Sequence, residues 1–403
     1  PAVSVMNRLS VQGKMALLGL IALVPVAVLA VMLLDRIQTD IAFTQKETHT
    51  VPLVAPARQL MQAVQAHRGI SQTVIGGNTA LSGRLAELRE QAIAAIKAGD
   101  EVNAATGELV GTSREWLLVR QGWEAVQAKA LSLSGPESFR LHSEYIAKIG
   151  DFISHTADRT NATLDPELET YYLMDLFTAR MPGLAEDAGR ARALGAGLAV
   201  RQVSTEAERI DMNVLLRRVA DGRVAIEASI AKAGSNEASL KDLLNGPRLV
   251  FDNNAKAFLA LAERDLLKPA GISVAPTMVF DSGTKVVDSA YALFDVSAKE
   301  FDQRLTARLA RLQSARVVAV GVIVLSLMVV VYLFLGFRRT MLDAIGEIQA
   351  GVGRMADGQL DVPISTASSD AFGEISAALN GMQSSLLARI SAEHEVAADN
   401  LRV

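Results

Sequence analysis

Cysteine is absent from this 403-residue chain. That excludes a disulfide scaffold and thiolate chemistry, and it suits exposure to an oxidising compartment. Aromatic residues make up only 5%, while Ala, Leu, Glu and Gln recur, a balance that favours packed helices over sheets. The five histidines, His49, His67, His142, His155 and His394, form neither an HExxH pair nor any other metal-site spacing. No GxxxxGKS/T phosphate loop and no G-x-S-x-G nucleophile elbow occurs. The net charge of −4 lacks the basic excess of a nucleic-acid binder. The chain therefore reads as a non-enzyme that calls for no cofactor and no metal, its many Asp and Glu residues solvating helix faces.

What it does have is two uncharged apolar runs, Met15–Leu34 and Val317–Phe337. At about 1.5 Å of rise per residue, each is long enough to cross a bilayer core of about 30 Å. The first run is too long for a secretory signal and no A-x-A cleavage site follows, so it reads as an uncleaved anchor bent at Pro25. Arg8 and Lys14 precede the first span and Arg338 and Arg339 follow the second, which favours both ends in the cytoplasm. Arg304, Arg308, Arg311 and Arg316 oppose that count, but large domains translocate largely regardless of charge. The expected fold is all-α: segment 1–14 inside, a span at 15–34, a helical domain over 35–316 outside, a span at 317–337, and a cytoplasmic piece from 338 onward.

Within 35–316, turn signals divide the helices. Pro52 and Pro56 interrupt the outgoing helix, Gly76-Gly77-Asn78 marks a turn, and Gly99-Asp100 and Gly111 read as breaks or tolerated glycines. Trp116 and Trp123 lie seven apart and read as a core stripe. Ser134-Gly135-Pro136-Glu137 separates the next helix, and Asp165-Pro166-Glu167 predicts a helix start with proline at its first position. Pro182-Gly183 is expected to end that helix. One long helix is expected over about 200–232 with Gly234 as its stop, and Asn245-Gly246-Pro247 reads as a later turn. Two stacked bundles, about 50–155 and 160–275, would result. After breaks at Pro269 and Pro276, the last helix carries Tyr291, Phe294, Phe301, Leu305 and Leu312 at near-heptad spacing, a stripe expected to seek a dimer partner.

The cytoplasmic piece has the sharpest periodicity. Met341, Ile345, Ile348, Val352 and Met355 step by 4, 3, 4 and 3 residues, and Phe372, Ile375, Leu379, Met382 and Leu386 by 3, 4, 3 and 4. Each run is an a/d seam, and two copies of such a helix pair can form a parallel four-helix bundle. With Gly358 and Leu360 in the connector, Asp370 and Gly373-Glu374 opening the second helix, and Asn380 and Met382 inside it, residues 338–390 resemble a HAMP signalling module. The sequence departs from that pattern at Met341, where a proline usually stands, and at Ala371, where an acidic residue usually follows. The resemblance implies relay of a helix displacement from the second span to an output domain.

The outer region carries its own resemblances. Gln65-Ala66-His67-Arg68-Gly69-Ile70-Ser71 followed by Gly76-Gly77-Asn78 resembles the start of nitrate- and nitrite-sensing helical domains. The run from Leu164 to Asp175, and Phe280-Asp281-Ser282-Gly283-Thr284 leading to Tyr291-Ala292-Leu293-Phe294-Asp295, resemble periplasmic segments of bacterial chemotaxis transducers. The resemblance as a whole is to a methyl-accepting chemotaxis receptor: homodimeric, in the inner membrane, with its sensory domain in the periplasm and an adaptor and a histidine kinase as distal partners. A sensor kinase, a cyclic-dinucleotide enzyme or a non-sensing structural membrane protein are the other readings. Arg68 is the first ligand candidate, since a guanidinium fork suits nitrate or a carboxylate, with His67 as second donor and Ser71 a turn away. The other reading pairs Arg68 with an acidic helix neighbour. Arg190 and Arg192 form a second candidate cluster or an exposed basic face. The segment 391–403 reads as the start of a helical connector, and the sequence as part of a longer receptor.

Overall fold

The computed structural model describes residues 2–77, 80, 82–268 and 271–400. Among them every regular element is helical. In order these are α1 (Ala2–Asn7), α2 (Val11–Glu47), α3 (Thr50–Ile75), α4 (Ser82–Val110), α5 (Ser113–Lys129), α6 (Gly135–Arg159), α7 (Leu168–Asp175), α8 (Met181–Arg201), α9 (Glu206–Ala233), α10 (Ala238–Ala262), α11 (Pro276–Ala356) and α12 (Ala371–Asn400). Asn78, Pro269 and residues 401–403, which figured in expected turns and the connector, lie outside the described residues. The chain divides into two compact units, Thr39–Gln313 and the pair of segments Pro1–Gln38 with Ser314–Val403.

In the unit Thr39–Gln313, α3 packs on α4 and α6, and α5 packs on α6 and α4. Around α9 pack α7, α8 and α10, and α8 also meets α3 and α6. The apolar residues form one continuous core, with Trp116, Trp123, Phe152, Phe177, Phe251, Phe258, Phe294 and Phe301 all buried in it. Trp116 and Trp123 are thus core, as their spacing predicts. Gly99 does not break α4. A methyl there would stand 2.1 Å from the Trp116 ring, and the indole Nε1 donates to Asp100 at 2.8 Å. Glycine at 99 is therefore a seat for the indole.

Several expected turns are helical, each for a physical reason. Pro182 follows a π-turn, Leu176–Arg180, in which the Met181 N–H reaches back five residues to the Leu176 carbonyl, so the helix carries on past the proline as α8. Pro247 sits inside α10. The expected helix over 200–232 is divided instead, where Gln202 takes a left-handed φ of 58° and Thr205 with Glu208 makes a capping box for α9. Pro166 precedes α7, whose N-cap is Glu167, and Asp165 Oδ1 accepts from the Glu167 N–H at 2.8 Å and the Thr170 hydroxyl at 2.7 Å. The α11 stripe differs most from expectation. Tyr291, Phe294, Phe301 and Leu305 are all buried within their own chain, with Phe177 meeting Phe294 and Phe301 edge-on at 5.7 and 5.3 Å. Those four residues are core, while Leu312, the last of the stripe, is half-buried.

The other unit contains both apolar runs, on α2 and α11, helices long and apolar enough to cross a bilayer. Their side chains are largely uncovered by protein, Leu29 and Leu333 among them. The two helices approach closely at Gly19, where a methyl would lie 2.8 Å from the Phe334 ring. Farther along, the connector between α11 and α12 is clamped. Gly358 turns it with φ at +83°, and Ile364, 2% exposed, inserts where Gly351 has no side chain, its Cγ1 2.4 Å from where a methyl would be. Asn380 holds the Ile364 backbone at both ends, accepting from its N–H at 2.8 Å and donating to its carbonyl at 2.7 Å. Gln383 donates to the Val362 carbonyl at 2.9 Å, and Asp370 caps α12 through the Phe372 N–H at 2.9 Å. Among the predicted seam residues, Val352, Ile375, Met382 and Leu386 remain exposed.

Two substitutions test these contacts. Gly99→Ala should destabilise the protein by about 1–3 kcal/mol by overpacking against Trp116, read from denaturant unfolding followed by tryptophan fluorescence in detergent. Asn380→Ala removes both backbone bonds of the clamp, so limited proteolysis should cut within 357–370 faster than in the parent; an unchanged cleavage rate would show that Ile364 alone holds the connector.

The candidate ligand cleft and the buried arginines

Adjacent residues on a helix point about 100° apart, and α3 separates His67 from Arg68 in that way. His67 turns into the core formed by α3–α6. Its Nδ1 lies 2.8 Å from His142 Nε2, and His142 Nδ1 lies 2.7 Å from the Ser138 carbonyl, which only accepts. His142 must then donate at Nδ1 and accept at Nε2, which makes His67 the donor at Nδ1. Burial, helped by His142 and Arg89, lowers His67 to about 3. Burial likewise lowers His142 to about 4, so both are neutral near pH 7. The remaining Nε2 of His67 is a buried acceptor without a partner. It has no proton to give an oxyanion. Ser71 is buried with this pair, its hydroxyl 3.3 Å from His67 Nδ1.

Arg68 points to α8. It is 1% exposed, and its two terminal nitrogens grip Glu186 at 2.6 and 3.1 Å. It also donates to Ser143 at 2.7 Å and lies over the Phe139 ring at 4.7 Å. Of the two readings of Arg68, this geometry displays the acidic pairing. Gln65 extends the network, donating to Glu186 at 3.1 Å and accepting from the Tyr291 hydroxyl at 2.9 Å. One polar layer thus links α3, α8 and α11.

Arg190 and Arg192 do not act together, because two steps along α8 put them on nearly opposite faces. Arg190 is half-buried, beside Asp187. Arg192 is 6% exposed and is embraced by the Phe280–Thr284 segment of α11. Its guanidinium lies 4.8 Å over the Phe280 ring and donates to the Thr284 hydroxyl at 2.9 Å. Gly283 admits the side-chain stem, since a methyl there would sit 2.6 Å from Arg192 Cβ. The Arg192 Nε has no partner, and among the described residues no carboxylate lies within ion-pair distance of Arg192. Burial, with Arg68 second, lowers its proton affinity.

Arg192 lines a cleft of about 590 Å3. α3 contributes Gln59, Gln62, Gln65 and Ile70, α4 contributes Arg84, Leu88 and Gln91, and α11 contributes Phe280, Thr284 and Asp288. His67, Arg68, Ser71 and Arg190 are not on its wall. The cleft therefore offers a buried cation, amide groups and an apolar floor, and among the described residues no cluster of His, Asp or Glu could hold a metal.

A third buried arginine has the opposite balance. Arg308 on α11 meets Glu47 of α2 at 3.1 Å, Asp165 at 2.9 Å and Glu167 at 2.9 Å. Glu47 is 0% exposed. Burial first, and then Asp165, push its carboxyl up to about 8. Glu47 Oε1 and Asp165 Oδ2 both lack partners.

Comparison with known proteins adds two findings. Residues 336–388 match the HAMP domain family, the stretch that holds the clamped connector and the exposed seam. Among curated proteins no sequence matches. Among solved structures, that described as the structure of the NasR transcription antiterminator is similar, with a TM-score of 0.46 and 16% identity over 87% of this chain and 97% of the other.

The Arg308 cluster gives a pH test. The raised Glu47 carboxyl keeps a proton on folding that the unfolded chain releases near its ordinary value of 4.5. Stability from this group is therefore complete at acid pH and is lost as pH rises through about 8. The melting midpoint of the full chain in detergent should fall across that window, and Glu47→Gln should flatten the decline. An identical slope in the variant would place the proton elsewhere.

Proposed function

We propose that this chain is the sensory and relay part of a homodimeric chemotaxis-type receptor of the bacterial inner membrane. The two apolar helices span the bilayer, both ends lie in the cytoplasm, and the unit Thr39–Gln313 senses a small solute outside. The supporting features are the two uncovered apolar runs, the HAMP match and the cleft. A cytoplasmic adaptor and histidine kinase are the partners that this reading implies.

Arg192 is the observation that carries the ligand. A buried guanidinium with no carboxylate in ion-pair distance is an expensive arrangement, because its direct partners are one hydroxyl and one ring face, and Asp288 and Glu186 favour its charge only from farther away. A ligand bearing a carboxylate, nitrate or nitrite would supply the missing negative charge. We place that anionic group on Arg192, with Arg68 behind it, holding Glu186 out of the cleft. His67 and Ser71 then act as packing beneath the site.

The relay follows from what Arg192 already touches. Its bond to Thr284 and its stack on Phe280 are contacts to α11, the same helix that continues to Ala356. An anion that draws Arg192 away from Thr284 changes the seating of α11. A bias of about 1–3 kcal/mol between two packings would be ordinary for such coupling. Isothermal titration of the full chain in nanodiscs, with nitrate, nitrite, small carboxylates and amino acids as probes, tests the site. Arg192→Gln should weaken binding by at least about 10-fold while Arg190→Gln leaves it unchanged. Equal binding in the Arg192 variant, with its fold intact by circular dichroism, would remove Arg192 from the site.

A further inference from the structure

The cleft holds a second unpaired charge. Asp288 lies on its α11 wall, and among the described residues no cation stands within ion-pair distance of it. Its one hydrogen bond is long, 3.5 Å from the Gln62 amide, and Gln62 is itself oriented by Arg58, which donates to its oxygen at 2.8 Å. Arg192 and Asp288 influence each other electrostatically, each favouring the charged form of the other, yet they are too far apart to form an ion pair. Of the charged groups on the cleft walls, Arg84 is paired with Glu87 at 2.6 Å, whereas the Arg192 cation and the Asp288 anion each lack an ion-pair partner among the described residues.

From this placement we infer that the cleft takes a zwitterionic ligand of the amino-acid class, its carboxylate on Arg192 and its ammonium on Asp288. This rests on the reading of the cleft as the receptor site. A plain oxyanion would answer Arg192 and then face the Asp288 carboxylate, whereas a plain cation would answer Asp288 and face Arg192. Size points the same way. The volume of about 590 Å3 lies in the range of about 300–1,000 Å3 typical of organic-ligand sites. It is many times the ~30 Å3 that one water molecule takes, so a bare inorganic anion would leave most of it to solvent. Gln59 and Gln91 on the walls offer amides to further polar groups of the ligand, and Phe280 offers a ring face.

The test divides the ligand into its halves. The full chain in nanodiscs is titrated calorimetrically with each of the common L-amino acids, with acetate as the anionic half, methylammonium as the cationic half, and nitrate. Asp288 is exposed, so Asp288→Asn should fold as the parent does. At least one amino acid should bind about 10-fold or more tighter than acetate, as expected when a charged hydrogen-bonding partner is added. Asp288→Asn should bring that amino acid down to the level of acetate and leave acetate no weaker. If acetate or nitrate binds as tightly as every amino acid, and Asp288→Asn changes no ratio, the zwitterion inference fails while the anion reading of Arg192 stands. If no probe binds, both fail.

Discussion

A guanidinium taken out of water must be answered by something, and three arginines in the unit Thr39–Gln313 are answered in three different ways. Arg308 faces three carboxylates, Arg68 faces one, and Arg192 faces none. Coulomb attraction and desolvation are both large in a low-dielectric interior, so the balance at each position sets what the position can do. With excess negative charge, the Arg308 cluster retains a proton. With a matched pair, Arg68 is a fixed strut. With a deficit, Arg192 keeps a hydroxyl and a ring face as its direct partners. The three differ in ledger, not in residue type.

All three arrangements touch α11. Thr284 bonds to Arg192, Tyr291 bonds into the Arg68 network through Gln65, and Arg308 is part of α11 itself. Between them the buried side chains Phe294, Phe301 and Leu305 fix the helix in the core. A long helix held at successive levels by polar contacts does not bend freely between them. Thr284, Tyr291 and Arg308 are thus three polar attachment points on one continuous helix. The Arg308 cluster gives the same helix a neighbour whose protonation changes near neutral pH, the Glu47 carboxyl pushed up to about 8.

Local patterns were legible in the sequence and long-range pairings were not. The apolar runs, the Trp116–Trp123 stripe and the HAMP seam depend on spacing within one helix, which periodicity reports directly. Proline was less informative than its reputation: Pro247 lies within a helix, and Pro182 is accommodated by a π-turn that no sequence spacing announces. Arg68 was visible as unusual, but Glu186 lies 118 residues away, and nothing local says that the two meet. Arg192 was visible only as half of a pair. The clue to its setting was the Phe280–Thr284 segment, noticed as a resemblance and explained by the structure: a ring to stack on, a glycine to admit the stem, a hydroxyl to bond. Glu47 gave no signal at all, since its partner on α11 is 261 residues distant.

The two heptad-like stripes illustrate why spacing alone does not identify a partner. Both read from the sequence as seams awaiting a second helix. On α11 the stripe at Tyr291–Leu305 is filled by the chain's own core, Phe177 included, so it is satisfied without a second copy. In the HAMP segment the connector is clamped by Asn380 and Gln383 through polar backbone bonds. That uses Ile364 to fill the space at Gly351 and leaves Val352, Ile375, Met382 and Leu386 uncovered. A pair of helices with its apolar face outward lacks the tertiary packing that stabilises most helices. Its outward residues repeat at a/d spacing, the pattern that parallel bundles bury. The proposed homodimer therefore draws its physical support from the HAMP stripe, where exposed apolar side chains repeat at a/d spacing.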